Sequence, residues 1–461
     1  MNEELYQLYN PWWQKTGIPD IYRFPTKRET FSLLQNELKK KNRRAVSLIG
    51  LRRTGKTVLL YQLIEHLLKK QKVNPNHIFF LKTDDPSIRV EENVIADFIN
   101  YIEKLHLTTP LANLKKPIYV FLDEIQKIED WGEYIKKYYD LGWPIKFFIS
   151  GSASIKIVKT TRENLAGRAK ETILSPLFLR ELFNWQGNNL QKLESQEIFK
   201  FGVFRKRASL LHKKCKPVSY NMGILLNQYL LKGGFPQLHT DLNLESTEYI
   251  KKEILERTIF RDIPEITKIK NPFYLQQILV LLAKETSSIT VFREISRKLG
   301  IKYETLTKHI FYLENSFILM VLRKYSRGGI SQAKAQQKIH LTSSGITTAL
   351  NNLKNKIEPN ELLGKVIEGV VVSTLKFSHQ DLELFFYRDK KGKVDLVLSD
   401  GKRLLPIEIT YQKALGKKSQ NLERFKQKFK KSLHPLILTK NTFKLEDDKT
   451  ILPVWLFLLL I

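Results

Sequence analysis

The sequence predicts an α/β protein. It begins with a parallel sheet wound with helices on both faces, then passes through a helical segment and a small helix-turn-helix unit to a second α/β domain. Three observations carry this. Short apolar, β-branched runs alternate with helical stripes in the first part of the chain, a glycine-rich loop joins one such run to a helix, and short strands return beyond residue 380. With 461 residues there is room for two to four domains, placed at 1–177, 178–270, 271–345 and 346–461.

Tyr6 to Pro25, with Trp12, Trp13 and Tyr22, precedes a helix expected at Lys27 to Lys40. Its aromatic residues read as a hydrophobic anchor or as a cover for the base of a nucleotide. Ala45 to Ile49 is the first strand, and it runs straight into Gly50-Leu51-Arg52-Arg53-Thr54-Gly55-Lys56-Thr57 and a helix that begins at Val58. This is a complete G-x-x-x-x-G-K-T loop in the strand-loop-helix context it requires. Its glycines let backbone N–H groups face phosphate, Lys56 reaches the terminal phosphates, Thr57 supplies a hydroxyl to Mg²⁺, and the helix N-terminus adds positive potential.

His77 to Thr83 reads as another strand, closed by the turn Asp84-Asp85-Pro86. Pro117 to Leu122 is a third, and Asp123-Glu124 follow it directly. An acid at that strand end holds Mg²⁺ through water, the role given to Asp123, and a second positions the attacking water, the role given to Glu124. Ile145 to Ile149 ends in Ser150-Gly151-Ser152, where Ser150 or Ser152 is either a sensor of the γ-phosphate, as in additional-strand P-loop ATPases, or a helix cap.

Together these stretches resemble the archaeal and bacterial AAA-type ATPases that carry a winged helix and a restriction-endonuclease-like C-terminal domain. The resemblance rests on Gly50 to Thr57, Phe121 to Gln126, Ser150-Gly151-Ser152 and Leu165-Ala166-Gly167-Arg168. Leu174 to Leu177, Gly233-Gly234-Phe235-Pro236 and Arg261-Asp262-Ile263 extend it into a helical lid. It implies binding and hydrolysis of ATP with Mg²⁺, and adenine over guanine because no Asn-Lys-x-Asp element is present. Arg168 matches the family's Gly-Arg position, as a phosphate sensor, an arginine supplied to a neighbouring subunit, or one half of a structural salt bridge.

Beyond the lid, apolar residues of Tyr274 to Lys284 form a helical stripe, Ser287 to Thr290 cap a helix from Val291 to Leu299, and Gly300 closes it. A third helix, Tyr303 to Asn315, offers Tyr303, Glu304, Thr307, Lys308 and His309 as outward residues, and an apolar β stretch follows at Phe317 to Lys324. This is the winged helix-turn-helix order. It puts the third helix in a DNA groove with Arg323, Lys324 and Arg327 near the wing, or else serves as a packing spacer.

In the C-terminal part a helix begins around Gly364 to Val371 and contains Glu368. Strands are expected at Leu384 to Tyr387, Lys393 to Leu398 and Leu405 to Thr410. Asp395 and Glu408 resemble the carboxylate pair of the PD-(D/E)xK nuclease core, where a lysine two residues after the second acid orients water. Here that position is Thr410, with Lys413 as a distant substitute. The site therefore reads as a degenerate nuclease used for binding, with an active metal-dependent nuclease as the alternative. Leu433 to Leu438 and Ile451 to Leu456 complete the sheet, and Val454 to Ile461 is expected as a buried terminal strand.

Composition frames the partners. Lys and Arg number 77 against 47 Asp and Glu, a net charge of +30, which favours nucleic acid before a membrane. The surplus concentrates at Arg205, Lys206, Arg207, Lys213, Lys214 and Lys216, a DNA grip or a solvated loop, and across 388–431, with fourteen basic residues against five acidic. Cys215 is the single cysteine, which excludes an internal disulfide and a Cys-based zinc or iron–sulfur site. No apolar run follows the acidic start Met1-Asn2-Glu3-Glu4, and none reaches the length of a membrane helix, so a cytoplasmic protein is expected, with homo-oligomers allowed. A nucleotide-gated protein switch without nucleic acid stands as a further alternative.

Overall fold

A computed structural model describes residues 3–89, 93–152, 165–267, 269–326, 336–354, 357, 361–390, 392–411 and 416–461. Arg327 and Lys413 lie outside them. The chain divides into two compact units, the first containing Met1–Ser175 with Glu265–Lys268 and the second Pro176–Pro264 with Ile269–Ile461.

The first unit is built on five parallel strands, β1 (Ala45–Ile49), β2 (Ile78–Lys82), β3 (Ile118–Asp123), β4 (Ile145–Gly151) and β5 (Ala169–Ile173), in the order β2-β3-β4-β1-β5. Strands β1 to β4 are almost wholly buried, as expected when helices cover both faces of a parallel sheet. The helices of this unit are α1 (Glu3–Tyr9), α2 (Thr30–Lys39), α3 (Lys56–Lys69), α4 (Val94–His106) and α5 (Trp131–Asp140), shorter turns being left unlabelled. The order puts β4 between the strand that carries the loop and the strand that carries Asp123.

The N-terminal aromatics are an anchor on the edge strand. Both indole N–H groups, of Trp12 and Trp13, donate to the Ile78 carbonyl at 2.9 and 3.1 Å. Asn10 pairs with Phe80 as a strand would, donating to its carbonyl at 2.9 Å and accepting from its N–H at 2.6 Å. Tyr22 stacks on Tyr61 of α3, ring centroids 4.2 Å apart. These contacts satisfy backbone groups that an edge strand otherwise leaves open.

The second unit holds α6 (Leu179–Trp185), α7 (Phe201–Cys215), α8 (Ser219–Lys232), α9 (Phe273–Lys284), α10 (Phe292–Leu299), α11 (Tyr303–Asn315), α12 (Ser344–Leu350), α13 (Glu361–Ser378), α14 (Gly416–Lys428) and α15 (Val454–Leu460). Its strands are β6 (Ile289–Thr290), β7 (Leu319–Lys324), β8 (Gln337–Leu341), β9 (Glu383–Arg388), β10 (Lys393–Ser399), β11 (Leu404–Thr410), β12 (Leu436–Thr439), β13 (Lys444–Leu445) and β14 (Thr450–Pro453). They form one sheet in the order β13-β14-β12-β11-β10-β9-β7-β8-β6. The boundary expected at 345 therefore does not separate two sheets: Arg323 and Lys324 of β7 pair in parallel with Phe385 and Phe386 of β9.

Three further expectations are corrected. Val454–Leu460 is a buried helix, not a strand, because Pro453 ends β14 and four of the seven residues that follow are Leu, which suits a helix as well as a core. Residues 205–216 are mostly the helix α7, whose buried Phe204, Ala208, Leu211 and Cys215 leave the lysines outside. His309 does not face outward, since it is 4% exposed and its Nδ1 lies 2.6 Å from the Thr305 carbonyl. The pair Gly233-Gly234 is a close crossing, because a Cβ on Gly233 would stand 2.1 Å from Ser343 Oγ and one on Gly234 2.5 Å from the Leu177 carbonyl.

Candidate functional site

The loop between β1 and α3 owes its shape to two left-handed residues, Arg53 at φ 65° and Gly55 at φ 96°. Gly50 allows the loop to pass the end of β5, since a Cβ there would lie 2.2 Å from the Leu174 carbonyl. The Lys56 ammonium is folded into the loop, donating to the carbonyls of Gly50 at 3.0 Å and Leu51 at 3.1 Å. Thr54 is buried and its hydroxyl donates to Leu51 at 2.8 Å, while Thr57 and Val58 open the first turn of α3. Arg52 is half-buried and Arg53 exposed.

Sequence reasoning missed Arg28. Its guanidinium is buried and donates to the carbonyls of Thr54, 2.9 Å, and Ser175, 3.0 Å, tying the loop to the chain beyond β5. An isolated Arg before a helix carries no motif, so only the fold reveals it. Thr83 was likewise overlooked as a site residue: its hydroxyl donates to the carbonyls of Asp123 at 2.9 Å and Glu124 at 2.8 Å, fixing the turn after β3.

That turn presents two acids differently. Asp123 ends β3 and is 1% exposed; Oδ2 accepts from Thr57 Oγ1 at 2.7 Å and Oδ1 from Ser150 Oγ. Glu124 takes the left-handed conformation at φ 57°, and its Oε2 accepts from Gln126 Nε2 at 2.5 Å and Ser152 Oγ at 3.0 Å. The two serines of β4's end thus serve one carboxylate each, and Ser150 lies within a strand, not at a helix cap. Burial, then the neighbouring Glu124 charge, push the Asp123 carboxyl up to about 6. Burial acts the same way on Glu124, but Lys56, the Gln126 bond and Arg52 outweigh it and hold this acid below its ordinary range.

The donor set fits Mg²⁺: a hydroxyl and a buried carboxylate already meet at 2.7 Å, and a carboxylate whose charge is disfavoured by burial is one that a cation stabilises. Thr57 and Asp123 are the residues that would hold it.

Arg168 stands apart. Ala45 N donates to its carbonyl at 2.8 Å, so it sits where β1 and β5 begin, about 16 Å of strand from the loop where they end. Its guanidinium makes a two-pronged pair with Asp140, 2.8 and 3.2 Å. Within one chain it is a salt bridge, at the far end of the strand from the loop.

In the second unit the structure brings Glu368 of α13 together with a lysine no motif marks. Lys338 of β8 donates from Nζ to Glu368 Oε1 at 2.7 Å and lies 3.4 Å from the Asp395 carbonyl. Asp395 Oδ2 accepts from Ile409 N at 3.1 Å, and Glu408 is fully buried on the adjacent strand. Among the described residues no three His, Cys, Asp or Glu side chains meet in an arrangement that could hold a metal ion.

Comparison with known proteins agrees with the fold of the first unit. The family described as an AAA domain matches residues 42–183, while two domains of unknown function, DUF8612 and DUF4143, match 224–357 and 363–457. An uncharacterised protein of Methanocaldococcus jannaschii is 25% identical over 434 residues, covering 88% of this chain and 86% of its own. Another, from Haemophilus influenzae, is 22% identical, covering 83% and 87%. A solved structure of S. cerevisiae Hsp104 with casein aligns with a TM-score of 0.30 at 13% identity, over 68% of this chain and 52% of that one, so the chain spans about half the length of that structure. The five-stranded parallel sheet, the loop geometry and the AAA match support an AAA-type P-loop ATPase domain in the first unit. Among the described residues no helix is long and apolar enough to cross a membrane.

Proposed function

We propose that the chain hydrolyses ATP at this site and uses the cycle to rearrange a DNA-binding second unit. The observation that supports it most is the hydrogen-bonded set of Thr57, at the start of α3, with Asp123 and Ser150, at the ends of the neighbouring strands β3 and β4, together with the Lys56 ammonium folded into the loop. Lys56 leaves its loop carbonyls for the terminal phosphates, and the loop N–H groups bind the others. Mg²⁺, when bound, neutralises phosphate charge and polarises the transferred group. Glu124 releases Gln126 and Ser152, orients water and accepts its proton, and Ser150 reports the γ-phosphate to Asp123.

For DNA, the support is chemical. Lys206, Lys213, Lys214 and Lys216 are exposed along and just beyond α7, and α11 exposes Tyr303, Glu304 and Lys308. The order α9, α10, α11, β7, β8 supports a winged helix, and α13 with β9 to β12 and α14 supports a nuclease-like fold. Lys56→Ala and Glu124→Gln are expected to lower ATP turnover at least about 100-fold in a folded protein. Unchanged rates sink the assignment. Duplex or single-stranded DNA is expected to stimulate wild-type turnover at low salt and to lose that effect as salt rises; no binding at low salt leaves an ATPase that acts on proteins.

A further inference from the structure

The carboxylates expected to bind a nuclease metal have a cation already, and it comes from the chain. Lys338 is 8% exposed, and no positional rule links it to Asp395 and Glu408, which lie more than fifty residues further on. Its ammonium is 2.7 Å from Glu368, 3.4 Å from the Asp395 carbonyl and 5.6 Å from the centre of the Phe386 ring. Asp395 and Glu408 face it from adjacent strands: Leu396 pairs with Ile407, and one step along the same antiparallel register sets Asp395 opposite Glu408. Burial works against the ammonium, yet the charges of Glu368, Asp395 and Glu408 keep its proton affinity above the ordinary lysine value. His340, two residues along β8, is fully buried and neutral, its Nδ1 2.9 Å from Ser287 Oγ and its Nε2 4.0 Å from Glu368, so it brings no second positive charge.

We propose that Lys338 occupies the place of a divalent cation in this cluster, which makes the C-terminal part of the second unit a metal-free and non-hydrolytic module. A compact ammonium with three donors can stand among carboxylates and a backbone carbonyl, and its fixed charge opposes a metal entering beside it. Thr410, where a lysine would orient attacking water, agrees with this. The ion pair instead joins β8, which belongs to the hairpin after α11, to α13 and the strands β10 and β11. The inference stands whether or not the first unit hydrolyses ATP.

The test uses the full chain carrying Thr57→Ala and Asp123→Asn, which removes both side chains expected to hold a metal in the nucleotide site. Manganese at about 1 mM is expected to shift the melting of the second unit by less than about 1 °C, and supercoiled plasmid is expected to stay uncut in Mg²⁺ or Mn²⁺. A rise of about 3 °C or more, or nicking, that Glu368→Gln abolishes overturns the proposal. Lys338→Met is expected to lower the melting temperature by about 5 °C or more, and adding Glu368→Met to recover most of that loss, because the second change removes the stranded charge. A Lys338→Met protein that melts like the parent also overturns it. Should that variant not fold, the manganese and plasmid measurements still decide.

Discussion

Gly50, in the phosphate-binding loop, and Arg28, which bonds to that loop from outside it, show how differently two residues announce themselves. Gly50 opens a motif that names its own chemistry, and the structure adds why alanine cannot replace it: a Cβ would lie 2.2 Å from the Leu174 carbonyl. Gly50→Ala is expected to cost about 2 kcal/mol or more of stability in the first unit and to weaken nucleotide binding at least about 10-fold, measured by denaturant unfolding and by titration with a fluorescent ATP analogue. Arg28 has no such signature. Motif residues are legible because their spacing is local, whereas Arg28, Thr83 and Lys338 act on partners 26, 40 and 30 positions away. Arg168 was legible as part of a pattern that allowed several roles, and the one the structure shows within the chain is the salt bridge to Asp140.

At the scale of elements, β1, β3 and β4 were readable as apolar runs that both sheet faces bury. Strand β5 was not: Ala169-Lys170-Glu171-Thr172-Ile173 is half-polar, as an edge strand can be, and only its pairing with β1 defines it. The terminal helix α15 was misread because eight apolar residues carry no period. Two histidines of the second unit lead to a pH prediction. Burial, helped by Lys232, holds His239 down to about 4, against a bond to the Gly233 carbonyl that raises it. Burial with Lys192 and Arg180 holds His379 down to about 3, against Asp381. Both are neutral when folded, and the unfolded chain takes up protons below about 6.5, so stability present at pH 7 is lost as pH falls toward 4. From pH 7 to 5 these two histidines together are expected to cost the second unit about 4 kcal/mol, read by urea unfolding, with His379→Gln removing about 2 kcal/mol of its pH dependence.

At the scale of the whole molecule, the boundary placed at 345 runs through a single sheet. A helix-turn-helix pattern followed by a separate run of strands set a boundary at 345, but the contact between β7 and β9 is two residue pairs of ordinary strand chemistry and leaves no mark in either sequence. A fragment starting at residue 346 would bare the flank of β9 and remove Lys338 from Glu368. It is expected to be insoluble or to associate, while a fragment starting at residue 176 remains monodisperse, as size-exclusion chromatography would show. A soluble, well-folded fragment from 346 would mean that the shared sheet is dispensable.

The anchoring of Asn10, Trp12 and Trp13 on β2 also sets an order of events during synthesis. These residues leave the ribosome well before their partners, since the carbonyls and N–H they bind belong to Ile78 and Phe80, and β2 itself pairs with β3, whose last residue is Asp123. The anchoring segment must therefore wait, with two indoles uncovered, until more than a hundred further residues have emerged. A segment made before the sheet is thus fixed only after two of the sheet's strands have been made.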